Sequence, residues 1–195
     1  MWHEYGEMAR VQTEKRRHER TPSPLTGAAL RDLALSYVAR FATSGAKLEG
    51  YLARKLRERG LAEGEETPDI RGLVARLVEL GYVDDEAFAR ARAGGLLRRG
   101  YGGRRVEQSL RTAGIDEELR SAVSPGEADA RRAAFTLARR RGFGPFGEAG
   151  ADRARREKQL AAMIRAGHNF DIARFLIEAE SVQQAETWLA EAEEP

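Results

Sequence analysis

Residues 96–111 carry Arg98, Arg99, Arg104, Arg105 and Arg111 against a single acid, Glu107, a local net charge of +4. A guanidinium is a planar fork of donors that suits carboxylates and phosphates alike. Gly100-Tyr101-Gly102-Gly103 separates the two arginine pairs, so a turn there holds both pairs around one aromatic ring. An aromatic among arginines serves phosphate and base contacts, or a protein interface. The plainer reading of the four residues is an interhelix turn. A Walker A loop would continue with Lys-Ser/Thr, and here Arg104-Arg105 follow.

A second basic run spans 131–165, where ten bases, Arg155 and Arg156 among them, stand against Glu148, Asp152 and Glu157, a net charge of +7. Residues 178–195 hold six acids and no base. Blocks of this kind point to polyanion or acidic-protein contacts, or to a solvated face balanced by the tail. The tail is also placed to fold onto 131–165 and mask its charge when no partner is bound. The whole chain is nearly neutral, with 33 Lys+Arg against 31 Asp+Glu over 195 residues.

Other chemistry is hard to build. There is no cysteine, which excludes disulfides, thiolate metal sites and Cys nucleophiles. His3 and His18 lie near the N-terminus. His168 follows Gly167, where it reads as a helix cap or surface filler rather than a general base. No HExxH or nucleophile elbow occurs. The expectation is a non-enzymatic protein without cofactor or metal. The N-terminal residues lack the apolar stretch of a signal peptide, and no run reaches the ~18 apolar residues of a membrane helix, so a cytoplasmic location is expected.

The elements that must position the arginines are helices. Leu30, Leu33, Ala34, Tyr37, Val38 and Phe41 share one face, as do Leu48, Leu52 and Leu56, then Ile70, Leu73, Val74, Leu77 and Val78. Gly60 predicts a left-handed C-cap, Thr67-Pro68 a helix start, Asp84 and Asp116 N-caps, and Ser124-Pro125-Gly126-Glu127 a capping box. Gly94-Gly95 predicts a kink or a close backbone contact, and 142–150 a mobile loop. Gly60, Gly114 and Gly167 end three similar helices at separations of 54 and 53 residues. That spacing predicts an all-α chain of tandem three-helix repeats in an elongated, curved body. The segments are an arm at 1–24, repeats at 25–83, 84–124 and 125–180, and an acidic helix at 181–195.

Gly81-Tyr82-Val83-Asp84-Asp85-Glu86-Ala87-Phe88-Ala89, Arg98-Arg99-Gly100-Tyr101-Gly102-Gly103-Arg104-Arg105-Val106 and Leu110-Arg111-Thr112-Ala113-Gly114-Ile115 together resemble RecX regulatory proteins. Arg139 to Gly142 and Arg165-Ala166-Gly167-His168-Asn169-Phe170 look like that family's C-terminal repeat. The resemblance spans roughly 26–180. It implies a monomeric protein lying in the groove of the RecA–DNA filament, restraining ATP hydrolysis, strand exchange and the coprotease role in the SOS response, with weak, non-specific DNA contact. Arg98, Arg99, Tyr101, Arg104, Arg105, Arg111, Arg155 and Arg156 are the candidate contacts. The alternative is a helix-turn-helix DNA binder, for which Arg104, Arg105, Gln108 and Arg111 come nearest to a reading face. They look better suited to positioning than to base specification.

Overall fold

Oxygen-bearing side chains set most of the helix starts. In the computed structural model, which describes residues 23–147 and 152–192, Thr26, Ser44 and Asp69 cap α1 (Gly27–Val38), α2 (Gly45–Arg59) and α3 (Ile70–Glu79). Asp84 caps α4 (Asp85–Arg98), accepting from the Ala87 amide at 2.8 Å, and Asp116 likewise caps α6 (Glu117–Ala122). Between them lies α5 (Gly103–Thr112), followed further on by α7 (Glu127–Arg141). Asp152, Asn169 and Ser181 then cap α8 (Arg153–Arg165), α9 (Phe170–Glu178) and α10 (Val182–Glu191). Each cap satisfies an amide that the helix itself leaves without a partner. The described residues form no sheet; Leu25 and Leu61 make one isolated bridge.

Several local expectations are corrected. The third helix starts from Asp69, not Thr67-Pro68. Ser124 forms no capping box, because Gly126 occupies the cap of α7 without a side-chain bond. Gly60 has φ 74° but ψ 167°, so it leaves α2 in an extended rather than a helical left-handed conformation. Helix α4 runs through Gly94-Gly95; nothing approaches Gly95, and only the Arg98 side chain lies near Gly94. Residues 142–147 pack rather than wander. Phe143 and Phe146 join the third core, and Gln159 accepts from the Gly144 amide at 3.1 Å. Residues 148–151 of that loop and 1–22 of the arm lie outside the described residues.

The buried side chains fall into three clusters. Leu25, Leu30, Leu48, Leu52, Val74, Leu77 and Val83 form the first. Ala89, Leu96, Val106, Leu110 and Ile115 belong to the second. The third contains Phe135, Leu137, Met163, Leu176 and Ile177, and α10 adds Ala185 to it. The architecture is therefore all-helical and built from successive small helical units, each with its own core.

One kind of contact recurs at both junctions between successive units. Ser44, the cap of α2, donates its hydroxyl to the carbonyl of Ala113 at the end of α5, at 2.5 Å. Gly102, the cap of α5, donates its amide to the carbonyl of Ala166 at the end of α8, at 2.9 Å. The second helices thus run end to start from one unit to the next. The periodic glycines sit at these seams. Gly114 (φ 72°) presses on Ala46, and Gly167 (φ 95°) on the Arg105 backbone, so neither has room for a side chain. At the first unit the corresponding end is closed from within, as Leu25 donates to the Gly60 carbonyl at 2.8 Å.

Candidate nucleic-acid and protein interface

Beside its buried Val106 and Leu110, α5 presents Arg105, Gln108, Ser109 and Thr112 as one stripe at helical spacing. Arg92 and Leu96 on α4, with Arg99 at its C-cap, make the matching stripe. Together with Tyr101, Ala113 and Lys47 from α2, these residues line a groove of about 550 Å³ at the first seam. Four cations enter it, and its lining contains no carboxylate. Among the described residues none of the four is ion-paired. Arg92 donates through Nε to Ser109 Oγ at 2.8 Å, and Arg105 through Nη1 to Gln108 Oε1 at 2.8 Å. The Lys47 ammonium lies 5.4 Å from the Phe88 ring centroid. Neutral partners orient these side chains while leaving their charge unspent.

The groove gathers Arg99, Tyr101 and Arg105 from the residues singled out above. It does not gather the rest. The Arg98 guanidinium lies back along α4 against Gly94. Arg104 does not line the groove; its amide donates to the Gly167 carbonyl at 3.1 Å. Arg111 shares Glu107 with Arg120, at 3.2 and 2.9 Å. Arg155 lines a separate hollow with Arg141, Phe143 and Lys158, and Arg156 another with Arg153, Glu157 and Arg174. Lys47 and Arg92 escaped the sequence reading, which counted charge in windows and so could not join residue 47 to residue 105.

The glycine turn between α4 and α5 is the second seam. A side chain at Gly102 would overlap the Gly167 carbonyl, and one at Gly100 would crowd the Leu137 backbone. The carbonyls of Ala166 and Gly167, at the negative end of α8, meet the positive end of α5. This end-to-start contact offsets the dipole penalty of placing Arg104 and Arg105 in the first turn.

His168 is a further correction. It is neither on the surface nor a local cap. It is 2% exposed, and its Nε2 lies 3.0 Å from the Gly100 carbonyl across the seam. Burial holds its pKa below the usual histidine value, and the Gly100 bond only partly opposes this. The neutral ring with its proton on Nε2 fits that acceptor.

The family model described as RecX, second three-helix domain, matches residues 84–123. The chain is 32% identical to a regulatory protein RecX of Myxococcus xanthus over 174 residues, 85% of this chain and 93% of the relative. It is 36% identical to one from Stenotrophomonas maltophilia over 63% of this chain and 72% of the relative. The crystal structure of RecX from Lactobacillus salivarius superposes with a TM-score of 0.60 at 17% identity, covering 83% of this chain and 97% of the other, a likeness of fold. The chain belongs to the RecX family of regulatory proteins.

Proposed function

We propose that this protein binds the RecA–DNA filament and restrains RecA's ATPase, strand-exchange and coprotease activities, without catalysis of its own. The observation that carries the reading is the groove at the first seam: four cations without an acidic partner, on a chain similar to regulatory RecX proteins over most of its length. Charges left unpaired on a rigid seam favour a partner rich in phosphate or carboxylate. A filament offers both. The tandem units suit an extended ligand, and the protein acts as a cytoplasmic monomer.

The test is RecA's DNA-dependent ATP hydrolysis with the protein titrated up to parity. Hydrolysis should fall, and the protein should sediment with nucleotide-bound RecA on single-stranded DNA more strongly than with that DNA alone. ATP hydrolysis by the protein itself, or unchanged RecA turnover across the titration, would sink the proposal. Equal sedimentation with DNA alone would favour a direct DNA binder instead.

A further inference from the structure

Lys47, at the edge of the first-seam groove, begins a stripe that runs up α2. Lys47, Tyr51 and Arg54 stand at i, i+4 and i+7 on α2, one stripe that climbs about 1.5 Å per residue away from the seam. Tyr51 stacks on Tyr37 with centroids 4.3 Å apart, and Tyr37 meets Phe41 at 5.1 Å. Arg54 lies over the Tyr51 ring at 5.5 Å. The stripe's one acid, Glu58, is engaged by Lys55 at 2.7 Å and by Arg54 at 3.6 Å. Phe41 ends this row of rings just past α1, beside Arg40. It is 56% exposed and stands apart from the first core. A phenylalanine that is half in water, resting on one tyrosine that a second one backs, stabilises the fold little.

We propose that a single strand of nucleic acid crosses from the groove onto this row. Phosphates lie on Lys47, Arg92, Arg99 and Arg105, and a base stacks on Phe41. This deepens the reading of the groove above and rests on it. The combination selects the partner. An acidic protein surface would answer the cations but leave the ring row without a role. A duplex would answer the cations but keeps its base faces stacked inside. An unpaired strand presents phosphates and π-faces together, and stacking of this kind tolerates any base.

Fluorescence anisotropy of the full chain tests this with three labelled probes: an oligodeoxythymidylate, an abasic oligomer of equal length, and a duplex. Phe41→Ala should weaken oligodeoxythymidylate binding about fivefold, the low end for one stacked base. Abasic and duplex binding and the thermal melt should not move. Phe41→Trp should keep the affinity and lose tryptophan emission, relative to wild type, on adding oligodeoxythymidylate but not the abasic strand. Lys47→Glu should weaken both single strands. Wild-type oligodeoxythymidylate affinity in Phe41→Ala overturns the proposal, and if that variant also loses co-sedimentation with RecA, the ring contacts protein. A wild-type chain that shows the full pattern yet leaves RecA turnover untouched would remove the regulatory reading and leave this one standing. Failure to bind oligodeoxythymidylate at low salt would remove this one whatever RecA does.

Discussion

Arg99 and Arg105 line a groove without a carboxylate, whereas Arg132 and Arg153 in the third unit bond acids at 2.7 and 2.9 Å, and Arg131 bonds Glu127. Total net charge, +7 over 131–165 against +4 over 96–111, ranks the third unit as the more basic. The arrangement of partners reverses that order. Lys47, Arg92, Arg99 and Arg105 each lack an acid three or four residues away in either direction, and Arg131, Arg132, Arg153, Arg155 and Arg156 each have one. Helix geometry turns such a neighbour into a ready partner. Arg139, Arg140, Arg141 and Arg165 also lack one, but they close α7 and α8, where cations complement the dipole, which leaves Lys158 as the one such cation of this run inside a helix. Local acid spacing therefore says more than the count about which cations remain available.

Reversing charge in each region gives the largest expected contrast. Arg99→Glu with Arg105→Glu should weaken binding to the RecA–DNA filament about 100-fold, since two charge-assisted contacts become repulsive. Arg153→Glu with Arg156→Glu should change it less than about threefold, as expected for exposed, acid-flanked cations. Co-sedimentation measures both. If phosphate is the ligand, the salt dependence of the first variant flattens by about 0.7 per lost contact on a single strand. Equal losses in the two variants would erase the distinction between the regions.

The seam can be separated from the charge. Gly102→Ala places a methyl group into the Gly167 carbonyl and should destabilise the fold by ~1–3 kcal/mol through overpacking, read as a lowered urea midpoint. Gly126→Ala is the control, a cap glycine of the same extended conformation with open space around it. Its cost should be that of replacing a cap glycine alone, about 1 kcal/mol or less. If Gly102→Ala costs no more than Gly126→Ala, the second seam is loose, and the end-to-start contact under Arg105 carries little weight.

What the sequence disclosed follows from range. The near-constant glycine spacing foretold the units because each glycine ends a second helix, a local event. Asp84 and Asp116 were legible as caps because a carboxylate reaches only to the amide three residues on. Thr67-Pro68 and Ser124 misled because more than one residue near a helix start can occupy the cap: Asp69 takes the first by accepting from the Gly72 amide, and Gly126 the second without a side-chain bond. The seams were invisible. Gly100, Gly102 and His168 look like turn and cap residues until two units meet. The groove was half visible for the same reason: Arg99, Tyr101 and Arg105 share a turn, but Lys47 arrives from another unit.

His168 offers a smaller test of the seam that supports one side of the comparison. Its folded pKa lies below the unfolded value of 6.5, so the unfolded chain binds the extra proton first. Its contribution to stability is complete above about pH 6.5 and is lost as pH falls through the lower folded value. Carboxylates add their own acid dependence, so the informative quantity is a difference. The gap in urea midpoint between wild type and His168→Leu should narrow between pH 7.5 and pH 5.5. A constant gap would mean that the ring takes up a proton without disturbing the Gly100 bond.

The smallest effect expected is from the acidic helix α10. Masking of the basic run would need its carboxylates to meet those arginines. Ala185 is instead buried, Trp188 stacks on Phe175 at 4.5 Å, and Arg131 lies 4.5 Å from the Trp188 ring while donating to the Trp188 carbonyl at 2.7 Å. This helix holds Arg131 through a π-face and a backbone oxygen. Glu186 and Glu191 are exposed, and neither is ion-paired among the described residues. Deleting 181–195 would therefore uncover apolar surface and confuse charge with folding. Glu186→Gln with Glu191→Gln removes two charges and leaves the packing alone. Affinity for oligodeoxythymidylate at low salt, where screening is weakest, should rise less than about twofold. A tenfold rise would mean that the tail does restrain the third unit's arginines, and that those arginines, rather than the first-seam groove, hold most of the charge available to a partner.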